Sequence, residues 1–420
     1  MKRSYYIVGL VMLTFFVISF LTNVIGPLIP DMIQGFSLSL TMVAILPFAF
    51  FIAYGVMSIP SGMLIEKFGE KKITIAAFMV AFAGSLMLAV FPNYLSAILS
   101  LFLIGCGMAM LQVVINPLLR TAGGEEHYAF YSIMAQLIFG LASFISPLVY
   151  SGIVINLKQQ NSGNLFSTLS KHVPADLPWI SMYWLFTIIC ILMILVLLFS
   201  RFPKVELNTD EKPGALKIHI LLFKKRVVVL FFIAMLCYVG TEQGIANWIS
   251  QFLFTYHGYD PQKKGAETVA YFWGLMTAGG VLGLFLVKLM DSRYVLILFT
   301  VLAIVCLSAG LFGPGKLALI AFPMVGFFAA VMYPVIFSLA LNSLHEHHGS
   351  FSGILVTGIV GGAIIPLIVG WLGDHIGLRN GMCFLYITLG FILSIGFWAK
   401  PIISNKTIKL SGRKKTSQQL

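Results

Sequence analysis

Long apolar segments alternate with short polar ones along almost the whole chain. Most of them contain about 20 residues or more, which is the length that a helix needs to cross the hydrocarbon core of a membrane. The pattern therefore predicts an all-α membrane protein with twelve transmembrane helices. The predicted spans, numbered in chain order, are 6–29, 41–65, 73–91, 95–119, 129–155, 180–200, 227–255, 267–289, 294–312, 317–343, 351–372 and 381–399.

The longest charged interruption, residues 201–226, separates six spans from six. It predicts an N-terminal six-helix bundle at 1–200, a cytoplasmic linker at 201–226, a C-terminal six-helix bundle at 227–400 and a cytoplasmic tail at 401–420. The turns after spans 2 and 8, GMLIEKFGEKK and VKLMDSR, carry similar clusters of acidic and basic residues. Because such internal repeats are typical of transporters, we expect the two bundles to be pseudo-symmetric.

The distribution of charge supports this topology. Hydrophobic residues make up 59% of the chain and charged residues 10%, with a formal net charge of +12. If twelve spans alternate, 21 of the 27 Lys and Arg residues lie on the side of both termini and six on the other. The positive-inside rule then places both termini in the cytoplasm, in a multi-pass protein of the bacterial inner membrane. Topology and attraction to the lipid bilayer explain the basic charge, so nucleic acid is not an expected partner.

Several function classes are disfavoured by the residues present. The five cysteines all lie in apolar segments without paired spacing, which argues against disulfides and a metal site. No HExxH or GxSxG motif occurs within a span, so we expect neither an enzyme nor a bound cofactor. The cluster HEHH at 345–348 lies in a short turn and is interpreted as a solvated turn, although weak metal binding is an alternative. A sensor would carry an extra folded domain, and 401–420 is too short for one.

Glu242 is the only acidic residue predicted to lie deep in a span. The other fourteen, including Asp31 at the end of span 1, are expected in loops or at span ends. Glu242 lies fifteen residues after Val227, about 22 Å along a helix and therefore near the middle of the membrane. Because a charge at that depth is costly, Glu242 should face a watery cavity or be protonated, which indicates a coupling role. The alternative is a neutral Glu hydrogen-bonded between helices.

Amide and aromatic residues at helical spacing predict a binding site around Glu242. Amides bind the hydroxyl groups of a polyol as donors and acceptors, and aromatic faces cover the C–H surface of a sugar ring. A cationic amphiphile is a rival substrate, and each residue alone could serve as an interhelical hydrogen bond. Gly240 and Gly244 predict a bend in span 7. The predicted substrate-binding residues are Gln112, Asn116, Gln136, Tyr238, Gln243, Asn247, Trp273 and Tyr333.

Twelve spans, a central loop and the pattern GxxxE-K-x-G-x-K-K after span 2 resemble the major facilitator superfamily, which usually has Asp in place of Glu66. The segments LQVVINPLL, CYVG and YPVIFSLAL are similar to its fucose-proton symporter branch, which includes glucose and galactose carriers. The resemblance implies a secondary active transporter that imports a neutral sugar by alternating access. The residues expected to control its conformation are Gly62, Glu66, Lys67, Gly69, Lys71, Arg120, Asp291 and Arg293.

The chain departs from this branch where protons are coupled. Proton-coupled members that resemble it have an acid in span 1 and a Glu in span 4, whereas this chain has Gly26 and Gln112 at the matching positions. Glu242 matches an acidic position in span 7 of glucose carriers. The coupling cation, H⁺ or Na⁺, is therefore expected to act through Glu242 in a monomer. An uncoupled sugar facilitator, or an exporter of sugars or cationic drugs, is the alternative.

Overall fold

The computed structural model describes residues 5–124, 127–159, 172–202, 216–344 and 348–401. Within these residues there is no β-strand, and twelve helices are long and apolar enough to cross a membrane. The prediction of an all-α chain with twelve spans is thus confirmed. The spans are Tyr5–Phe36, Leu40–Ile65, Glu70–Val90, Tyr94–Gly123, Phe130–Lys158, Pro178–Phe199, Arg226–Ala246, Pro261–Leu289, Ser292–Phe312, Gly315–Leu341, Ser350–Ile376 and Leu378–Trp398.

Several spans consist of two helices that meet at a short interruption. In span 1 the helices are Tyr5–Thr22 and Ile25–Phe36, and span 7 is followed directly by Ile249–His257. One further helix, Leu216–Phe223, precedes span 7. The interrupted helices of spans 10, 11 and 12 are Gly315–Ala329 with Met332–Leu341, His348–Thr357 with Gly361–Ile376, and Leu378–Met382 with Leu385–Trp398.

Polar side chains cap the first turns of several spans. Ser39 and Asn93 accept hydrogen bonds from the backbone N–H groups of Met42 (3.2 Å) and Ser96 (2.9 Å). Asp260 and Asp291 cap spans 8 and 9 in the same way. A cap satisfies one of the backbone donors that a helix leaves unpaired at its start, so these residues fix where the spans begin.

The two sets of six spans pack in the same pattern. Span 2 packs on span 4, span 4 on span 3, span 3 on span 6 and span 1 on span 5; each of these contacts recurs six spans later. This recurrence is what a pseudo-symmetric repeat requires. The two halves meet mainly where span 5 packs on span 8 and span 2 on span 11. The predicted boundaries at 200, 226 and 400 stay predictions, since much of the linker and the tail lies outside the described residues.

The predicted bend at Gly240 and Gly244 is wrong. The helix passes both glycines without interruption and ends at Ala246. The glycines instead allow spans 11 and 12 to approach, because an added Cβ would lie 2.2 Å from Ile365 Cγ1 and 2.8 Å from Leu385 Cδ2. Small residues have this packing role in many membrane helices.

Candidate functional site

Glu242 lies in a small polar cluster within span 7. Its side chain is half-buried, and Gln243 Nε2 donates a hydrogen bond to Glu242 Oε1 (3.2 Å). The buried Tyr238 side chain, one helical turn earlier, also interacts with the carboxyl group. Neither of the ion pairs formed by described residues includes Glu242. The carboxyl group is therefore held by neutral polar groups and has no cationic partner among them.

Aromatic rings of span 10 extend this cluster. The Tyr238 and Tyr333 rings lie 5.8 Å apart between centroids, and Tyr333 stacks on Phe337 at 5.8 Å with an interplanar angle of 18°. Tyr333 is half-buried and lies within electrostatic range of Glu242. The structure thus brings together four of the predicted site residues. They are Glu242, Tyr238, Gln243 and Tyr333.

Gln243 also reaches the boundary between the two halves. A Cβ added to Gly362 of span 11 would lie 3.1 Å from the Phe51 ring of span 2 and 3.2 Å from Gln243 Cγ. Gln243 and Phe51 therefore flank the same point of span 11. The polar cluster lies where spans 2, 7 and 11 meet, so a movement of one half against the other would alter its surroundings.

Two predicted binding residues carry buried donors without partners. Asn247 Nδ2 and Trp273 Nε1 are buried and form no hydrogen bond with the described residues. Buried polar groups are usually paired, so unpaired donors of this kind are candidates for binding a ligand.

The remaining amides lie apart from the Glu242 cluster. Asn116 and Gln136 are exposed and Gln112 is half-buried, and no hydrogen bond among the described residues joins any of the three to Glu242. Amides directed at lipid would be unfavourable, because lipid offers no hydrogen-bond partner. We infer that these exposed faces of spans 4 and 5 border an aqueous space.

Gln136 and Trp273 lie on opposite sides of the crossing between spans 5 and 8. At this crossing a Cβ added to Gly140 would lie 1.9 Å from Thr277 Oγ1. Gln136 is one turn before Gly140 and Trp273 one turn before Thr277, in helices that run in opposite directions. Because a helix rises by about 1.5 Å per residue, each residue lies about 6 Å from the crossing, and the two lie on opposite sides of it. Along the membrane normal they are therefore about 12 Å apart. A small ligand would not contact both at once in this conformation.

The membrane side opposite the termini is closed by contacts between the halves, and we call it the closed face. Asp374, at the end of span 11, accepts hydrogen bonds from Leu40 N (2.9 Å), Thr41 N (2.8 Å) and Thr41 Oγ1 (2.5 Å) at the start of span 2. The carboxylate of one half thereby caps a helix of the other. A negative charge at a helix N-terminus is favourable, because the helix dipole is positive there.

The interruptions of spans 1 and 7 also meet across the boundary between the two halves. Span 1 is interrupted at Asn23–Val24 and span 7 at Asn247–Trp248. A Cβ added to Gly26 would lie only 2.4 Å from the backbone oxygen of Ala246. The two backbones can approach this closely only because residue 26 is glycine.

Asp31 provides a further contact at the closed face. The sequence places it at the end of span 1, but the helix continues to Phe36 and Asp31 is only 7% exposed. Tyr150 of span 5 and Gln262 of span 8 both donate hydrogen bonds to it. The enclosure of Asp31 by the protein is not evident from the sequence, which places it only at the end of a span.

Comparison with known proteins identifies the family. The family model of the major facilitator superfamily matches residues 11–365. The chain belongs to the major facilitator superfamily. It is 28% identical over 393 residues to the glucose/galactose transporter of Brucella abortus, covering 89% of this chain and 90% of that protein. It is 25% identical over 416 residues to the L-fucose-proton symporter of Escherichia coli, covering 92% of each.

The fold also matches a solved structure of this superfamily. The crystal structure of the Escherichia coli fucose:proton symporter superposes with a TM-score of 0.66 at 23% identity, covering 95% of this chain and 100% of that chain. Membership confirms the resemblance predicted from the sequence, and with it a multi-pass membrane protein that is not an enzyme.

The superfamily motif after span 2 forms a tight junction in this structure. Gly69 joins spans 2 and 3 with φ of +81°, a conformation that strongly favours glycine. Lys71 Nζ donates to the backbone oxygen of Leu198 in span 6 (2.9 Å), and exposed Lys67 lies over the Phe68 ring. Gly62 has open space where a Cβ would lie, the Glu66 side chain lies outside the described part, and Arg120 is half-buried. Their gating roles stay predictions.

The spacing of this motif recurs after span 11. Gly62, Glu66 and Gly69 match Gly370, Asp374 and Gly377, and Gly377 has a φ of +83° that nearly equals that of Gly69. This repeat is stronger than the one between the turns after spans 2 and 8, and it is not among the features predicted from the sequence. The GxxxDxxG spacing was the signal that would have indicated Asp374.

Asp291 and Arg293, predicted to control conformation, form an ion pair within the turn after span 8. Arg293 donates to Asp291 from Nη2 (2.9 Å) and from Nε (3.3 Å). The hydrogen bond from the Arg293 side chain holds the pKa of the Asp291 carboxyl below its usual range. Since the folded-state pKa is lowered, the pair stabilises the fold above pH ~3.9 and loses this effect as the pH falls through the folded-state value. It should not contribute to pH dependence between pH 5 and 8.

Replacement of Asp374 by Asn should loosen the closed face. Asn offers one acceptor oxygen and no charge to the start of span 2, so the equilibrium should shift toward opening by about tenfold, as expected for loss of a charge-assisted hydrogen bond. A cysteine at Ala44, which is buried near this contact, should then react with a maleimide about ten times faster in a Cys306→Ser, Cys383→Ser background. Asp260→Asn, which removes a cap within one half, is the control. Equal labelling rates in both variants would contradict the role of Asp374.

Proposed function

We propose that this protein imports a neutral sugar, a hexose or small saccharide, across the bacterial inner membrane by alternating access. The coupling cation, H⁺ or Na⁺, acts through Glu242. The observation that carries the proposal is the cluster of Glu242, Tyr238, Gln243 and Tyr333 at the junction of spans 2, 7 and 11, in a superfamily member whose relatives bear the names of sugar transporters.

The chemistry of the cluster favours a neutral polyol. Glu242 and Gln243 offer acceptors and an amide donor. Outside the cluster, Asn247 Nδ2 and Trp273 Nε1 are buried donors without partners among the described residues. The Tyr333 ring provides an apolar face of the kind that packs on the C–H groups of a sugar. An anionic substrate would need a cation close to the cluster, and no ion pair of the described residues supplies one there.

We propose that the remaining predicted binding residues line the path of the sugar between the central cluster and the terminal side of the membrane. Gln112, Asn116 and Gln136 lie in the halves of spans 4 and 5 nearer the termini, with exposed or half-buried side chains. We assign them contacts with the sugar when the carrier is open to the terminal side. Residues 1–200 and 227–400 are proposed to rock against each other as units, with both termini in the cytoplasm and a monomer as the working form.

A substrate panel in proteoliposomes tests this function. Glucose, galactose, fucose and a neutral disaccharide are supplied separately with a proton gradient, with a sodium gradient and with neither. We expect accumulation of at least one sugar with one gradient only. Equilibration without accumulation would favour the facilitator. Export of a cationic dye without uptake of any sugar would overturn the proposal.

A further inference from the structure

Asp31 is an acidic residue enclosed at the boundary between the two halves. It lies in the second helix of span 1, Ile25–Phe36, and is 7% exposed. Glu242 lies in span 7, so Asp31 is a separate group on another helix. Gly26 lies five residues earlier and packs on the backbone of Ala246 in span 7.

Both carboxyl oxygens of Asp31 have neutral partners. Tyr150 Oη donates to Asp31 Oδ2 (2.5 Å) from the same half, and Gln262 Nε2 donates to Asp31 Oδ1 (2.8 Å) from the other half. Tyr150 is itself fully buried, and Gln262 is 8% exposed. Asp31 therefore becomes enclosed only when span 8 lies against spans 1 and 5.

The charged groups around Asp31 do not neutralise it. Lys158 of span 5 attracts a negative charge on Asp31 and Asp260, next to span 8, repels it. None of the described residues forms an ion pair with Asp31. A buried carboxylate that forms no ion pair is disfavoured relative to its neutral form.

A cavity of about 210 Å³ connects Asp31 with the surface of the closed face. Its wall includes Gln34, Lys158 and Asp176, all of them exposed. Protons from the solution on this side can therefore reach the Asp31 carboxyl. Asp176 is the third charged group that faces this region.

We propose that Asp31 is a second protonation site of the transport cycle and that the closed face forms over its neutral form. When the face is open, Asp31 is solvated and ionised. Protonation allows it to be buried, with Oδ1 accepting from Gln262 Nε2 and Oδ2 hydrogen-bonded to Tyr150 Oη. Closure thus takes up a proton from this side, and reopening releases it. This rests on the proposed function and deepens it, because it makes the closure step of the sugar transport cycle depend on the pH of this side.

Spin-label distances measured without sugar test this inference on the whole protein. Labels at Gln34→Cys and Lys263→Cys, both exposed, report the separation of the halves at the closed face in a Cys306→Ser, Cys383→Ser background. We expect the ratio of closed to open protein to rise as the pH falls from 8 to 5, by at least about tenfold overall, since one proton can change it by at most tenfold per pH unit.

The Asp31→Asn variant tests whether Asp31, and not another titrating group, causes the pH dependence of the closed fraction. Asn is neutral and can accept from Gln262 and donate to Tyr150, so the variant should stay closed over the whole pH range. Gln262→Leu, which removes the partner from the other half, should lower the closed fraction at every pH. Asp260→Asn and Asp176→Asn should still close as the pH falls, because the Asp31 carboxyl group is present in both.

Two results would overturn the proposal: an unchanged pH dependence in Asp31→Asn, or a closed fraction that rises with pH. The distances do not depend on sugar, so they remain informative if no sugar is carried. Conversely, the protein could accumulate sugar while the distances between the labels do not change with pH. This result would leave the proposed function intact and exclude Asp31 as a protonation site. Elution as a single symmetric peak in detergent shows that each variant is folded.

Discussion

Replacement of Glu242 by Gln is expected to reduce gradient-driven sugar accumulation to simple equilibration. A gradient of 100 mV is worth about 2.3 kcal/mol per elementary charge, which supports about 40-fold accumulation, and this should fall to about onefold in the variant. The physical reason is that Gln keeps the size of Glu and the acceptor for Gln243 but cannot exchange a proton or provide a charge for sodium. Uptake into proteoliposomes with an imposed gradient is the measurement.

Exchange of labelled for unlabelled sugar without a gradient separates coupling from binding. If Glu242→Gln exchanges sugar but does not accumulate it, Glu242 is a coupling residue. Glu267→Gln is the matched control, because Glu267 is a carboxylate of span 8 that pairs with Lys264 at 2.8 Å near the surface. It should accumulate sugar within about twofold of the unaltered protein, since exposed ion pairs contribute little. Accumulation by Glu242→Gln at the level of the unaltered protein would make Glu242 structural.

Substitution of Gly26 by Ala is expected to prevent proper closure of the closed face. The new Cβ would lie 2.4 Å from the Ala246 oxygen, which is backbone and cannot rotate away. Overpacking of this kind typically costs about 1–3 kcal/mol, so transport should fall by roughly tenfold to a hundredfold. Gly26→Asp, which places a larger and charged side chain at the same point, should be impaired more severely.

Gly9→Ala is the control for Gly26→Ala, because Gly9 lies in the same span and has open space at the position of a Cβ. Its transport rate should equal that of the unaltered protein. The rates are measured as sugar exchange, and maleimide labelling of a cysteine at Ala44 reports closure directly. Normal exchange and slow labelling in Gly26→Ala would show that the two backbones can separate without loss of function.

Hydropathy was sufficient to predict the helices, but it could not predict where they break. A run of apolar residues reports that a segment crosses lipid, and span 7 was located on that basis. The bend was expected at Gly240 and Gly244, because glycine allows backbone flexibility. The structure uses both for close packing on Ile365 and Leu385, and the helix breaks after Ala246 instead. Whether a glycine bends a helix or allows close packing depends on the neighbouring helices. The sequence of a single span does not show which helices those are.

In the candidate site, contacts within one helix could be predicted from the sequence, whereas contacts between different spans could not. Tyr238, Glu242 and Gln243 were grouped correctly because their spacing along one helix decides their proximity. Gln112 and Gln136 were expected to converge on the same group, but they lie on other spans whose positions depend on how far the halves have moved. The sequence places Asp31 at the end of span 1 but does not indicate its enclosure, because Tyr150 and Gln262 lie on other spans.

The bond between Asp374 and span 2 has a consequence for how this contact can change over evolution. Two of its three donors are main-chain N–H groups of Leu40 and Thr41, which every residue except proline provides. Residue 40 can therefore vary freely without weakening the contact. Thr41 Oγ1 is the one side-chain donor among the three, so a statistical search for positions that change together could link Asp374 to residue 41 but not to residue 40. Proline at position 40 or 41 would remove a main-chain donor and should not be tolerated.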